Sequence, residues 1–228
     1  MQKSIYLLWA AADESRADED WAQRLRTRLA ALAGTPGVER IQLNVADRAV
    51  AEAMLRLTTF DVPVRAVVSV WSAPAAADIG TELASLCDRI AGYLVTETVA
   101  LAPPATGLGE RADALANVAL LRRPTELEHR EWLRRWQGDH TPIAIAVQGT
   151  FGYVQNEVRH ALTPDAPAVD GIVEELFPMA ALRDPHAFYG SGGDGAELNR
   201  RLRAMTDSIG RFGADRDIDV IPTSRYVF

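Results

Sequence analysis

The order in which apolar strand-like segments and amphipathic helices follow one another constrains this 228-residue chain more than any single motif. Alternating or continuous apolar runs predict strands, and apolar residues at three- and four-residue spacing predict helices. In the first half these patterns predict strands at 4–9, 38–45, 64–71 and 92–101 and helices at 17–33 and 78–90. In the second half they predict strands at 118–121, 150–160, 169–177 and 218–228 and helices at 126–138 and 196–212. Both halves therefore have the order β-α-β-β-α-β, repeated in elements more than in residue identity.

A Pro/Gly-rich segment separates the halves, which predicts units at 1–101 and 115–228 joined by a linker at 102–114. Each unit would form a four-stranded sheet with helices on one face and nothing on the other. Burying the two bare faces against each other would gain roughly 25 cal/mol per Å² of apolar surface. Two separate units would instead expose both faces, unless another chain covered them.

Motifs in the second half resemble the EthD family of the dimeric α/β-barrel superfamily. They are a Thr-x-x-x-x-x-x-Trp helix, the run 139–143 (Asp-His-Thr-Pro-Ile), the run 152–155 (Gly-Tyr-Val-Gln) and the run 169–177. The resemblance covers residues 115–228 and implies a ferredoxin-like βαββαβ unit whose sheets pair into a barrel. We therefore expect an α+β fold in which two ferredoxin-like repeats form an intrachain, pseudo-dimeric α/β barrel.

His140 is the first candidate for chemistry. The predicted helix 126–138 precedes His140, and Thr125 is expected to cap its first turn. Pro142 is expected to interrupt the helix, since proline lacks a backbone N–H. His140 would then lie inward-leaning beside an opening, where a group that titrates near neutrality can act as a general acid or base. The alternative is a structural histidine that donates to a backbone carbonyl. The first half has only small and apolar residues at the matching place, so we expect one working pocket per chain.

Two strands carry the other candidates. On 150–160, one face bears Tyr153, and the opposite face bears Asn156 and His160; the pattern does not decide which face lines the pocket. On strand 169–177, Glu174 and Glu175 are adjacent and so point to opposite faces of the sheet. One of the two carboxylates therefore points into the pocket, whichever face lines it. A carboxylate near His140 would orient the imidazole and stabilise its protonated form. The alternative is a solvated pair of acids.

Two further residues complete the predicted pocket. Asp170 is included only because the family resemblance implies it. Trp136 could form part of a flat wall for an aromatic substrate, although core packing explains it equally well.

Composition excludes several classes of protein. The net charge of −7 argues against nucleic-acid and anionic-membrane surfaces, and no apolar run approaches the ~18 residues of a membrane span. The first apolar run is interpreted as a strand and not a signal peptide, which leads us to expect a cytoplasmic protein. With one cysteine and no His-Glu-x-x-His or Walker motif, we expect no metal and no cofactor. A small-molecule substrate is the expected partner, and homodimerisation stays open.

The first hypothesis is a cofactor-independent EthD-like enzyme. By resemblance, it would perform cyclisation, isomerisation, dehydration or decarboxylation of a small oxygenated, aromatic or polyketide-like substrate. All of these need proton transfer next to a carbonyl in a dry pocket. The alternatives are a non-catalytic small-molecule-binding or accessory barrel of a degradation pathway, and a haem- or metal-dependent oxygenase.

Overall fold

Eight antiparallel strands form a closed barrel in the computed structural model, which describes residues 1–10, 19–74 and 79–228. The strands are β1 (Gln2–Trp9), β2 (Val38–Val45), β3 (Ala66–Ser72), β4 (Arg89–Leu101), β5 (Leu115–Leu121), β6 (Gly152–Ala161), β7 (Gly171–Phe177) and β8 (Asp219–Val227). Their order around the barrel is β1-β3-β2-β8-β5-β7-β6-β4. The α+β class is confirmed.

The two halves of the chain contribute four neighbouring strands each. The order is β4-β1-β3-β2 in the first half and β6-β7-β5-β8 in the second. The barrel closes where β2 pairs with β8 and where β4 pairs with β6. Because both seams are hydrogen-bonded, no strand edge is left open. Between β4 and β5, segment 102–114 contains no helix or regular strand and touches β8 through two isolated bridges.

Helices cover the outer face of the barrel. They are α1 (Glu19–Leu32), α2 (Ile79–Ala84), α3 (His129–Leu133), α4 (Thr141–Val147), α5 (Pro185–Tyr189) and α6 (Gly195–Gly210). A π-helical segment, Arg134–His140, joins α3 to α4, and short 3₁₀ turns lie at Arg48–Val50 and Met179–Leu182. None of the helices in the described ranges is long and apolar enough to cross a membrane.

Alternation along each strand creates two cores. One set of side chains points into the barrel and forms an apolar cluster shared by both halves, which includes Ile5, Leu7, Val67, Val118, Ile172 and Ile221. The other set points outward under the helices. In the first half it packs against α1 and includes Leu8, Ile41, Leu43, Val68 and Val70.

The predicted helix 78–90 is wrong over its second part. Helix α2 ends at Ala84, and its last turn closes with a 3.3 Å hydrogen bond from Ser85 N–H to the Glu82 carbonyl, three residues earlier. Strand β4 then begins at Arg89, which is paired with Trp9 of β1. Sheet pairing with β1 therefore outcompetes the helical pattern of residues 85–90. Residue 78 and the first two residues of predicted helix 17–33 lie outside the described residues.

The prediction that Pro142 interrupts the helix is also wrong. The N–H of Thr141 donates to the carbonyl of Trp136, five residues earlier, and α4 continues without a break. The π-helical turn is wider than an α-helical one, and it places Pro142 in the first turn of α4, where proline is tolerated. Thr125 is not the N-cap either, because α3 begins at His129 with Glu128 in the capping position.

Candidate functional site

A cavity of about 210 Å³ lies between the outer face of the second-half sheet and the helices that cover it. We call it the helix-side cavity. Its polar lining residues are Asn117, His140, Gln148, Tyr153, Glu175 and Tyr189. Its apolar walls come from the sheet, from the π-helical segment, from α6 and from the segment after it, and they include Trp136, Val173, Met205 and Phe212.

The π-helical segment sets the position of the cavity's first wall. Trp136 lies flat on β7 because residue 171 has no side chain: a Cβ there would fall 2.6 Å from the Trp136 ring. The Thr141 hydroxyl donates to the Trp136 carbonyl at 3.0 Å and accepts from Gln155 at 2.8 Å. These bonds hold the π turn against β6. Irregular turns of this kind are frequent at functional sites.

His140 is the last residue of that π turn and is 7% exposed. Its Nδ1 lies 2.9 Å from Ser208 Oγ on α6, and its ring is 4.8 Å from the ring of Phe212. Burial lowers the pKa of His140 to about 4, so the imidazole is neutral at physiological pH. The expected carboxylate partner is replaced by the Ser208 hydroxyl, and no carboxylate raises the pKa of this histidine.

Glu175 brings the only carboxylate of the cavity lining, as far as the described residues go. In the strand register it lies opposite Asn117 of β5 on one side and Tyr153 of β6 on the other. No hydrogen bond or ion pair involves its side chain within the described ranges, and part of it remains accessible through the cavity. Burial raises the pKa of Glu175 to about 7. The carboxyl group therefore exists in both protonation states near neutrality.

Two tyrosines face this carboxyl group. Burial raises the pKa of Tyr153 well above its usual range, and the charge of Glu175 raises it further, against a smaller opposing effect of the Thr141 hydroxyl. Burial and the same carboxylate raise the pKa of Tyr189. Both phenols are therefore protonated near neutrality and can donate hydrogen bonds.

Several polar atoms of the lining have no partner. Among the described residues, Asn117 Oδ1, Gln148 Oε1 and Trp136 Nε1 are buried without a hydrogen bond. Leaving a buried polar atom unpaired costs about 1–3 kcal/mol, and such atoms in native structures require an explanation. Three of them around one cavity mark places where a polar ligand or a water molecule would complete the hydrogen bonding.

The structure brings together four of the predicted site residues: Trp136, His140, Tyr153 and Glu175 line the one helix-side cavity. Glu174 points the other way, into the barrel, where its Oε1 accepts from Gln42 and Asn44.

The other three predicted residues also lie outside the cavity. Asn156 faces the barrel interior and donates to the Ile172 carbonyl. His160 is exposed at the end of β6. Asp170 accepts from the backbone N–H of Arg123, which shapes the turn after β5.

Residue-level analysis of the sequence missed Asn117, Gln148, Tyr189 and Ser208. Asn117 carried a usable indication, since it is a polar residue inside a buried apolar strand. The prediction from sequence also missed Leu55 and Leu57, through which the first half of the chain contributes to the cavity wall. The first half therefore contributes to the cavity wall as well as to the barrel.

No group of three His, Cys, Asp or Glu side chains in ranges 1–10, 19–74 and 79–228 has the grouping that a metal ion needs.

Comparison with known proteins supports the family resemblance. Residues 124–196 match the family model of the EthD domain, a range that contains every polar cavity residue except Asn117. No curated protein matches the chain. The fold is similar to that of an anthrone oxidase-like protein, with 11% identity, a TM-score of 0.59, and coverage of 100% of this chain and 92% of that chain.

Two proposed monooxygenases have similar structures. For the protein from Fusobacterium nucleatum subsp. nucleatum, identity is 8%, the TM-score is 0.53, and coverage is 98% of this chain and 91% of that chain. For the protein from Lactobacillus acidophilus, identity is 9%, the TM-score is 0.50, and coverage is 98% of this chain and 93% of that chain. At such identities these likenesses show the fold alone. The match of residues 124–196 to the EthD-domain model confirms the resemblance to that family for this part of the second half.

Proposed function

We propose that this chain is a cofactor-independent, EthD-like enzyme that removes a proton from a small oxygenated substrate, aromatic or polyketide-like, inside the helix-side cavity. Removal of a proton next to a carbonyl or from a phenol is a step of cyclisation, isomerisation and dehydration. In decarboxylation the protonated carboxyl group would instead return a proton to the carbanion that loss of CO₂ leaves. The observation that carries the proposal is Glu175, a partly buried carboxyl group without a partner among the described residues, which faces a cavity with further unpaired polar atoms.

Glu175 has the properties of a general base. With a pKa of about 7, a large fraction is ionised at neutral pH, and it is much more basic than an ordinary carboxylate. A base whose pKa lies near the working pH combines the correct protonation state with the largest driving force for proton transfer. Burial supplies this pKa, and the apolar walls of the cavity maintain it by excluding water.

The remaining polar groups suit the enolate or phenolate that deprotonation creates. Tyr153 is a protonated phenol opposite Glu175, and Trp136 has an N–H without an acceptor among the described residues. Neutral His140, held by Ser208, can donate from its second ring nitrogen if Nδ1 accepts from the hydroxyl. Preorganised donors at a developing oxyanion are usually the largest single contribution to such catalysis.

The size of the cavity limits the substrate. About 210 Å³ is somewhat more than the 150 Å³ cavity that holds one benzene molecule. A single-ring substrate or a short β-dicarbonyl chain therefore fits without rearrangement. A three-ring substrate requires the wall formed by Leu55 and Leu57 to move outward, which would break the two backbone hydrogen bonds between Leu57 and Val220 of β8.

Deuterium exchange tests proton abstraction without knowledge of the final product. The protein is incubated in D₂O with β-diketones, resorcinol-type phenols and anthrone, and deuterium at carbon is followed by mass spectrometry. We expect exchange to be accelerated for at least one single-ring or short-chain probe, and the acceleration to be lost in Glu175→Gln. Binding without accelerated exchange for any probe would favour a non-catalytic binding protein and would reject the proposal.

A second candidate function is cofactor-independent oxidation that begins with the same deprotonation. It is favoured by the names of the similar structures, which are an anthrone oxidase-like protein and proposed monooxygenases. For anthrone, C₁₄H₁₀O and O₂ would give the quinone C₁₄H₈O₂ and H₂O. The carbanion formed by Glu175 would supply electrons to O₂, which takes up the hydrogen lost from carbon. Oxygen consumption that depends on Glu175 would support this candidate, and exchange without oxygen consumption would exclude it.

We also propose that the two halves are copies of one ferredoxin-like unit, so that the barrel is a pseudo-dimer. Their strand orders match, and each seam joins the second strand of one half to the fourth strand of the other, as a two-fold arrangement requires. Separately produced segments 1–101 and 102–228 should then associate into a folded complex when mixed. If each segment folds alone and they do not associate, the pseudo-dimer interpretation is wrong.

A further inference from the structure

One mouth of the barrel carries a layer of charged side chains that the proposed reaction does not use. The layer borders a second cavity, of about 250 Å³, on the inside of the barrel and partly covered by segment 103–106. We call it the barrel-mouth cavity. Five ionisable groups form the layer: Lys3, Arg40, Glu97, Glu174 and Arg225. Three cations against two carboxylates leave a surplus of one positive charge.

Two of the cations are matched by the two carboxylates. Lys3 Nζ lies 2.7 Å from Glu97 Oε1, and Arg225 Nε lies 3.2 Å from Glu174 Oε1. The amide of Gln42 also donates to that Glu174 oxygen, at 2.9 Å. The carboxylates of the layer are therefore already paired with Lys3 and Arg225, and they act on the third cation only through space, without a hydrogen bond.

Arg40 is that third cation. Its guanidinium stacks on the Trp71 ring, 3.6 Å from the centroid, and the residue is exposed at the mouth. No carboxylate or carbonyl accepts from it within the described residues. Stacking fixes the plane of a guanidinium while its edge, which carries the N–H donors, stays available. Arg40 is thus held in one orientation with its donors unused.

Arg225 adds a second set of donors to the same cavity. The residue is 7% exposed, and the one hydrogen bond of its guanidinium among the described residues runs from Nη2 to Gln42 Oε1 at 2.9 Å. Its Nε–H is buried and makes no hydrogen bond, because the geometry toward Glu174 is unsuitable despite the short distance. Burial lowers the pKa of Arg40; the charge of Glu97 opposes that effect, and the nearby Arg225 charge adds to it.

We propose that the barrel-mouth cavity binds a small organic monoanion, a carboxylate with an apolar body, between the guanidinium groups of Arg40 and Arg225. A planar carboxylate matches a guanidinium edge with two parallel hydrogen bonds. The ring of Trp71 and the rings of Pro103 and Pro104 provide an apolar surface for the rest of the ligand. One negative charge neutralises the layer, whereas a dianionic phosphate would leave excess negative charge between low-dielectric walls.

Calorimetric titration with benzoate tests this site, with benzyl alcohol as the neutral analogue. Arg40→Gln removes the unmatched cation at an exposed position, so it leaves the fold intact, which thermal unfolding verifies. Arg203→Gln is the matched control, because it removes one positive charge from an exposed position on α6. Glu175→Gln reports on the other cavity, since benzoate bound beside Glu175 would respond strongly to loss of that charge.

We expect benzoate to bind the unmodified protein and Arg40→Gln to weaken binding more than about tenfold, as loss of charge-assisted hydrogen bonds does. Arg203→Gln and Glu175→Gln should change the affinity less than about twofold. The proposal is overturned if benzoate does not bind, if benzyl alcohol binds equally well, or if Arg203→Gln weakens binding as much as Arg40→Gln. A response to Glu175→Gln would assign the benzoate to the helix-side cavity instead, and tighter binding of inorganic phosphate would reject the monoanion.

Discussion

The outer faces of the two half-barrels differ in one respect: the first is a solid core and the second contains a cavity. Under α1, the outward residues of β1, β2 and β3 are mainly aliphatic or aromatic, as at Leu8, Leu43 and Val68. The corresponding strands of the second half, β5, β6 and β7, carry Asn117, Tyr153 and Glu175. The strand order is the same in both, so the difference lies in side chains and in the helix that covers them.

This difference shows how one scaffold can separate stability from chemistry. In the first half most outward positions under α1 contribute buried apolar area. In the second half the π-helical segment moves His140 and Trp136 over the sheet, and the space between is left to polar groups with unmet hydrogen bonds. Substitutions should therefore affect mainly stability on one side and mainly activity on the other.

The largest expected effect is on activity, from Glu175→Gln. Loss of a general base lowers rates about 10²- to 10⁴-fold. Glutamine keeps the shape and adds no charge, so the fold should persist. In the unmodified protein the exchange rate should rise as the pH rises through about 7, since the base must be ionised. A variant with an unchanged rate, or a rate independent of pH across neutrality, would contradict the assignment of Glu175.

The next largest effect is on stability, from Leu29→Ala in the solid core. Leu29 is fully buried, so its truncation should lower the free energy of unfolding by about 2–5 kcal/mol while exchange activity per folded molecule is retained. Met205→Ala in the cavity wall should cost less, on the order of 1–2 kcal/mol, because one side of Met205 already faces open space. Urea unfolding measures both values. Equal losses would mean that the two faces are packed alike.

His140→Ala should reduce activity by about 10- to 100-fold and leave the fold intact, because His140 is expected to donate to the developing oxyanion. Ser208→Ala is the matched control, since it removes the hydroxyl that orients the imidazole but not the imidazole itself. We expect it to lower the rate less than about tenfold, in keeping with the value of one hydrogen bond. Undiminished turnover in His140→Ala would make this histidine structural.

The smallest expected effect is a pH dependence of stability with opposite signs for two residues. The pKa of Glu175 is raised by folding, so its contribution is present at low pH and is lost as the pH rises to about 7. The pKa of His140 is lowered, so its contribution is present above about 6.5 and is lost as the pH falls to about 4.

Between about pH 4.5 and 6.5 the two contributions oppose each other. Relative to the unmodified protein, stability should rise with pH in Glu175→Gln and fall with pH in His140→Gln, by at most about 1 kcal/mol per pH unit. Chemical denaturation at several pH values gives these slopes. The same sign in both variants would show that one of the two pKa shifts is assigned in the wrong direction.

Local patterns were sufficient for the strands and for the fold class. The bounds of β2 follow directly from the alternation of residues 38–45, and α6 from its apolar spacing and the capping Asp194. Patterns failed where tertiary contacts override local preference. Residues 85–90 look helical but turn and pair with β1, and Pro142 looks like a helix break but is accommodated by the π turn.

For the site, the sequence by itself determined which residue types were available: a histidine near the end of a helix, and adjacent glutamates on a strand whose alternation sends one of them inward. Only the tertiary structure decided that Glu175 faces the helix-side cavity and Glu174 the barrel interior, because side-chain alternation does not say which face of a sheet is covered by helices. It also decided that Asn117, Gln148 and Leu57, distant in sequence, share one wall. The physical reason is that a cavity is the space between helices and strands that their side chains leave unfilled. Its position therefore depends on the packing of all these elements together.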